Sequence, residues 1–249
     1  MTNTDRILAV EDLVKTFVMH AIGGRQITSL DRVSLHVDAG EHVALAGASG
    51  AGKSSLLRCL YRTYLPDAGR VVLYPDTPEE LELTTLPDRT MARLRGRAFG
   101  YVSQFLQAPP RVGPLNLVTA AARRRGLDRE ESVDAAGTSL DRLGIGKALW
   151  DVDCSVLSGG ERQRVNLAAG TVSPPALLLL DEPVSALDPA NRERALAVIE
   201  DLRHGDVSVL AVYHDMHIIR RLASRVLVMA DGRIIGDGAA ADVLTKDVA

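Results

Sequence analysis

The chain has 249 residues, 46% hydrophobic, 24% charged and only 4% aromatic, with a net charge of -3. It can therefore bury a sizeable core but offers no global basic field to nucleic acid or an anionic membrane surface. Two cysteines, Cys59 and Cys154, cannot build a disulfide framework and fit a reducing compartment. No apolar run nears the roughly 18–20 residues needed to cross a bilayer, and MTNTDRILAVEDL has Asp5, Glu11 and Asp12 in place of an apolar signal core. These features predict a cytoplasmic protein with no nucleic-acid partner and no direct membrane insertion.

Ile7 to Val10 reads as a short strand, and Val33 to Val37 as another, with apolar Val33, Leu35 and Val37 alternating with Ser34 and His36. The turn Asp38-Ala39-Gly40-Glu41 feeds a buried strand, His42 to Gly47, and the spacing from Ser54 to Leu65 predicts a helix. Strand-like pieces follow at Arg70 to Tyr74 and Ala98 to Gln104, separated by a polar insertion with Pro75, Pro78 and Pro87. After a proline-broken connector, Gln107 to Pro114, the pattern is mostly helical. The triple arginine Arg123 to Arg125, ahead of Asp128, Glu130 and Glu131, reads as a solvated helical face. Apolar strands resume at Ala176 to Leu180 and Val207 to His214, and Arg225 to Gly238 reads as a hairpin turning at Asp231-Gly232. Strands alternating with helices argue for an α/β fold with a mostly parallel sheet covered on both faces. The expected organisation is a single domain over 1–249, with a core from 1–103 and 171–249 and a helical subdomain at 104–170.

Between the third strand and its helix, GASGAGKS, Gly47 to Ser54, matches the phosphate-loop pattern GxxxxGK[ST]. Gly47, Gly50 and Gly52 let successive N–H groups point into one anion-sized nest, and the following helix adds its positive end. Lys53 supplies a point charge for the β- and γ-phosphates, and the Ser54 hydroxyl can ligate Mg²⁺. Ser49, Ala51 and Ser55 complete the candidate nucleotide-binding segment.

ALLLLDEP places Asp181 at the carboxyl end of a buried strand, the edge where ligands sit in such sheets. Asp181 is the candidate Mg²⁺ carboxylate, and Glu182 is placed to polarise the attacking water. Gln104 and His214 end two other strands, the first to sense Mg²⁺ and the water, the second to bond the γ-phosphate. His214 and His217 lack a third ligand, so a metal pair there is rejected. LSGGE, Leu157 to Glu161, opens a helix with Ser158, Gly159 and Gly160, a second anion-binding start. It lies roughly a hundred residues after the first, so it is best explained by another subunit's nucleotide. SALD, Ser185 to Asp188, would lie along that junction.

Phosphate loop, glutamine, LSGGE, DE, SALD and histidine occur in the order found in ABC-type ATPases, and the chain resembles that family over essentially its whole length. The resemblance implies a P-loop NTPase (RecA-like) core with an antiparallel β subdomain and an inserted helical subdomain. It also implies ATP and Mg²⁺ as ligands, ATP hydrolysis, Phe17 stacking on adenine, and a head-to-tail pair in which Ser158 faces the other subunit's γ-phosphate. The pair would be a homodimer or a heterodimer with a related ABC ATPase. Leu60 to Val71, Tyr101 to Val112 and Val18 to Leu30 look like the L component of the bacterial carbon–phosphorus lyase system. This likeness implies soluble phosphonate-degrading subunits as partners, in a pathway where a phosphonate is joined to the ribose of a nucleotide. The ATPase of a lipoprotein-releasing or peptide exporter, and a nucleotide-gated scaffold with weak hydrolysis, are the alternatives. Ala169 and Val184 depart from the arginine and threonine common in the family.

Overall fold

The computed structural model describes residues 6–19, 24–75, 80–106 and 108–243. Residues 20–23 of the Val18 to Leu30 segment, Pro78 and Gln107 lie outside them. The chain divides into two units, one from residues up to Arg93 and from Ser208 onward, the other Leu94–Val207.

In the first unit, β1 (Arg6–Met19) and β2 (Arg25–Asp38) pair antiparallel from Arg6↔Asp38 to Met19↔Arg25. Both run well past the short pieces predicted for them. The pairing passes through register shifts at Val10/Leu13 and Leu13/Lys15, with Asp12 (φ 46) and Arg32 (φ 52) in left-handed conformations. Such bulges interrupt the two-residue alternation without ending the ladder, so each interruption reads in the sequence as a strand end.

β3 (His42–Ala46) follows, buried at all five positions, and leads through the glycine loop to α1 (Lys53–Leu60). The helix stops five residues before Leu65. Arg62 adopts φ 61, and Thr63 N donates to Arg58 O at 2.8 Å, which closes the helix end. The Arg62 side chain is drawn away to the carbonyls of Leu83 and Leu86 and to Asp88, at 2.7 Å. β4 (Ala68–Leu73) pairs antiparallel with β1, and β5 (Leu81–Glu82) with β4, giving an antiparallel sheet in the order β2-β1-β4-β5. The polar insertion also holds α2 (Asp88–Leu94), at whose start the Pro87 carbonyl accepts from Thr90 N at 2.9 Å and Met91 N at 3.0 Å.

The second unit opens with β6 (Phe99–Val102), one residue shorter at its start than read and two shorter at its end, where the Ser103 carbonyl is taken by Asn166. The next segment is helical: α3 (Pro114–Arg124), α4 (Arg129–Arg142) and α5 (Gly159–Thr171). Arg125 is not on a solvated face. It caps α3 and donates to the carbonyls of Gly96, at 3.0 Å, and Val172, because without it those oxygens would lose their donor. β7 (Leu177–Asp181), buried throughout, lies parallel to β6 with Val102 opposite Leu180. Each of its leucines contributes roughly 1.5–3 kcal/mol of transfer free energy. α6 (Pro189–His204) completes the unit.

The chain returns to the first unit with β8 (Ser208–Val212), α7 (Met216–Leu222), β9 (Arg225–Ala230), β10 (Arg233–Ala239) and α8 (Ala240–Val243). β8 and β9 flank β3, both parallel to it. β10 folds back antiparallel on β9, and Asp231 (φ 48) and Gly232 (φ 74) make the turn between them, with the two positive φ values of a type I′ hairpin.

Candidate functional site

In the first unit the buried strand β3 delivers the phosphate loop at its carboxyl end. Lys53 is only 5% exposed, and its ammonium donates to the carbonyls of Gly47 at 2.7 Å and Ala48 at 2.8 Å. The loop is therefore closed around its own cation. Ser49 and Gly50 are exposed on it, Ala51 is buried, and Ser54 and Ser55 are half-buried in the first turn of α1. Gly52 caps that helix at φ 102 with no side-chain bond, and no acidic residue stands in the first turn, so nothing there opposes an anion at the positive helix end. A cradle of backbone amides, one caged lysine and two hydroxyls fits a triphosphate.

The loop rests on a floor that the sequence did not reveal. A Cβ on Gly47 (φ 137) would come closer than 3.0 Å to the carbonyl oxygen of Met229 on β9, so only glycine lets the loop lie that low. Gly232 N donates to Ala51 O at 3.2 Å, Asp31 N donates to Gly232 O at 2.9 Å, and Ser29 Oγ donates to Ser55 Oγ at 2.8 Å. No local signal marks this contact, because its partners come from distant parts of the chain.

Phe17, on β1, meets the Tyr64 ring edge-on at 5.2 Å and 75°. Tyr64 in turn accepts from Arg58 at 2.9 Å, and Lys15 pairs with Asp67 at 2.9 Å. Thus the ring proposed to stack on a base is held in orientation. His214 lies two residues past β8 and is exposed. Because Leu45 pairs with Val212 in parallel, Gly47 and His214 stand at corresponding places on one sheet edge.

In the second unit the parallel register of β6 and β7 brings Gln104 beside Glu182. Gln104 Nε2 donates to Glu182 Oε2 at 3.3 Å. Asp181 is fully buried and accepts from the Tyr101 hydroxyl at 3.0 Å, a partner missed in the sequence. Glu182 has φ 51, a conformation costing a non-glycine residue on the order of 1–3 kcal/mol and concentrated at functional sites. A buried carboxylate and an amide match the donors Mg²⁺ takes alongside substrate phosphate and water.

Ser158 caps α5 in a reciprocal box. Glu161 N donates to Ser158 Oγ at 3.3 Å, while Ser158 N and Oγ donate to Glu161 Oε2 at 2.8 and 2.7 Å. The Ser158 side chain and then its backbone hold the Glu161 carboxyl below its ordinary range. Leu157 is buried, and Ser158 and Gly159 are exposed. Gly160 packs beside the carbonyl of Ala186, 3.4 Å from where its Cβ would stand, so the SALD turn adjoins the signature. Asp188 caps α6, accepting from Asn191 N at 3.1 Å and Asn191 Nδ2 at 2.6 Å. These bonds, the Asn191 side chain's first, depress its pKa. The structure thus groups Gln104, Asp181, Glu182 and the signature on one unit, and Phe17, Lys53, Ser54 and His214 on the other.

Residues 30–185, more than half of the chain, match the family model described as ABC transporter. A methionine import ATP-binding protein of Rhodopseudomonas palustris is 34% identical over 96% of this chain and 61% of its own length. A macrolide export ATP-binding/permease protein of Vibrio parahaemolyticus is 31% identical over 99% of this chain and 36% of its own. The chain thus spans less than two thirds of either relative. The dimeric ATP-binding cassette MJ0796 bound to ADP and Pi superposes with a TM-score of 0.83 at 26% identity, covering 94% of this chain and 99% of that one. The fold, the phosphate loop and these relatives agree: the chain belongs to the ABC transporter family.

Proposed function

We propose that this chain hydrolyses ATP as one of a head-to-tail pair and drives a membrane-embedded transport partner from the cytoplasmic side. The supporting observation is that one chain carries both a phosphate loop closed around Lys53 and a strand-end carboxylate, Glu182, held in a left-handed turn and bonded to Gln104. The residues from Gly47 to Ser55 hold the phosphates, Phe17 stacks on the base, Lys53 supplies a positive charge to the β- and γ-phosphates, and His214 bonds the γ-phosphate. Ser54, Asp181 and Gln104 would hold Mg²⁺, which when bound supplies charge neutralisation at the phosphates. Glu182 orients and polarises the attacking water. Leu157 to Glu161, with Asp188, meets the nucleotide of the other subunit, whether an identical chain or a related ATPase.

Glu182→Gln is expected to abolish phosphate release while keeping an ATP-bound pair that sizing resolves. Unchanged phosphate release would overturn the assignment of Glu182.

The transport reading draws on relatives named for methionine import and macrolide export. A second reading keeps the likeness of Tyr101 to Val112 to the carbon–phosphorus lyase component, with soluble phosphonate-degrading subunits docking where Phe105 stands 72% exposed. Here 104–170 is the partner-gripping helical subdomain. Native purification separates the readings: a multi-span permease co-purifying supports the first, and phosphonate enzymes the second.

A further inference from the structure

Helix α5 does more than present the signature serine. One turn into it, Gln163 is 4% exposed, and its Nε2 donates to the carbonyl oxygen of Glu182 at 2.7 Å. That oxygen also accepts from Ser185 Oγ at 3.2 Å. It belongs to the residue with φ 51. Three positions on, hence on the same helix face, Asn166 Nδ2 donates to Ser103 O at 2.6 Å. The next residue is Gln104, whose amide reaches the Glu182 carboxylate at 3.3 Å. The bonds form a closed ring within the second unit, from α5 to Glu182, to Gln104, and back through Ser103.

A left-handed residue persists only where its surroundings over-determine it. The Gln163 bond fixes the plane of the peptide that follows Glu182 and so sets the direction in which its carboxylate leaves the backbone. Losing that donor leaves the longer Ser185 bonds, from Oγ at 3.2 Å and N at 3.4 Å, to hold the carbonyl, so the peptide plane, and with it the side chain, is fixed less tightly.

We propose that Gln163 is a positioning residue for Glu182, keeping its backbone in the turn that aims the carboxylate. The inference rests on the proposed hydrolytic role of Glu182. Since Ser158 and Gln163 share one helix, displacement of α5 at its signature end moves the donor that sets the chain's own Glu182.

The test uses the full chain and three variants, Gln163→Met, Glu182→Gln and the double. Gln163→Met is expected to lower kcat by up to about a hundredfold, the loss that a misplacement near 1 Å can cause, with KM for ATP and ATP-dependent pairing retained. In the Glu182→Gln background it is expected to change residual turnover little, because groups acting as a unit are non-additive. Wild-type kcat in Gln163→Met beside an inactive Glu182→Gln overturns this inference alone. Active Glu182→Gln overturns it together with the hydrolytic reading. Equal losses in both backgrounds, or loss of pairing, mark a merely structural role and overturn it as well. Should Gln163→Met prove insoluble, Gln163→Glu has nearly the same volume and, ionised, cannot donate; it is read the same way.

Discussion

Gly232 shows how one residue can serve two distant parts of the chain. Its φ of 74 closes the β9–β10 hairpin, and its N–H and C=O tie Ala51 of the phosphate loop to Asp31 of β2. A Cβ there would come within 2.8 Å of Ser29 O. Gly232→Ala is therefore expected to cost about 1–3 kcal/mol and to weaken ATP binding, seen as a lower Tm and a smaller ATP-induced rise in Tm. An unchanged rise would separate the turn from the phosphate loop. The Asp231-Gly232 turn was legible from its dipeptide, but its place under the loop was not, because local pattern carries no information about which backbone a turn will touch. Arg225 poses a second residue-scale case. It grips Asp237 through two bonds of 2.6 Å, with Glu41 at 3.5 Å and His36 at 3.2 Å. The Arg225 bond and charge hold the Asp237 carboxyl below its ordinary 3.8. Its stabilisation is thus complete above that value and lost as the pH falls through the lower, folded-state pKa. The Tm difference between wild type and Asp237→Asn should be widest near neutrality and close in acid.

At the scale of elements, strongly periodic segments were readable and their ends were not. β3, β7 and β8 announce themselves as apolar runs because every position is buried. β1 and β2 were read short because bulges at Asp12 and Arg32 break the alternation. α1 was read long because its stop comes from Arg62 being drawn to Leu83, Leu86 and Asp88, far from the helix in sequence. The start of α4 is a box formed by Asp128 and Glu131, a local pattern hidden inside what read as a charged face. Arg125 is the clearest case, since arginine triplets usually mark solvated surface. Replacing Arg125 with alanine leaves the carbonyls of Gly96 and Val172 without this donor, at about 1–3 kcal/mol. Arg124→Ala, at the exposed neighbouring position, should stay within about 0.5 kcal/mol. Denaturant midpoints of the two variants make the comparison, and equal midpoints would return Arg125 to the surface.

At the scale of the whole molecule, the motif order made the ATPase family legible, since each motif sits at a strand end or helix start that the fold needs anyway. The partner was not legible in the same way, because the surface a partner grips is assembled from residues distant in sequence and leaves no local motif. The pairing itself can be tested without knowing that partner. In the proposed pair, Lys53 acts on the nucleotide of its own chain and Ser158 on that of the other. Lys53→Ala removes the caged cation, and Ser158→Arg places a long charged side chain at the exposed start of α5. Each variant alone has two damaged sites per pair and should be inactive. Mixed in equal amounts, about half of the pairs are heterodimers. In each of these, one site joins an intact phosphate loop to an intact signature, and the other site carries both lesions. Turnover should therefore recover to about a quarter of wild type if the sites fire independently, with nucleotide-dependent association measured in the same samples. Association without recovery would mean that Ser158 serves its own chain's nucleotide. Loss of association in the mixture, where the wild-type chain associates, would rule out completion of one subunit's site by the other.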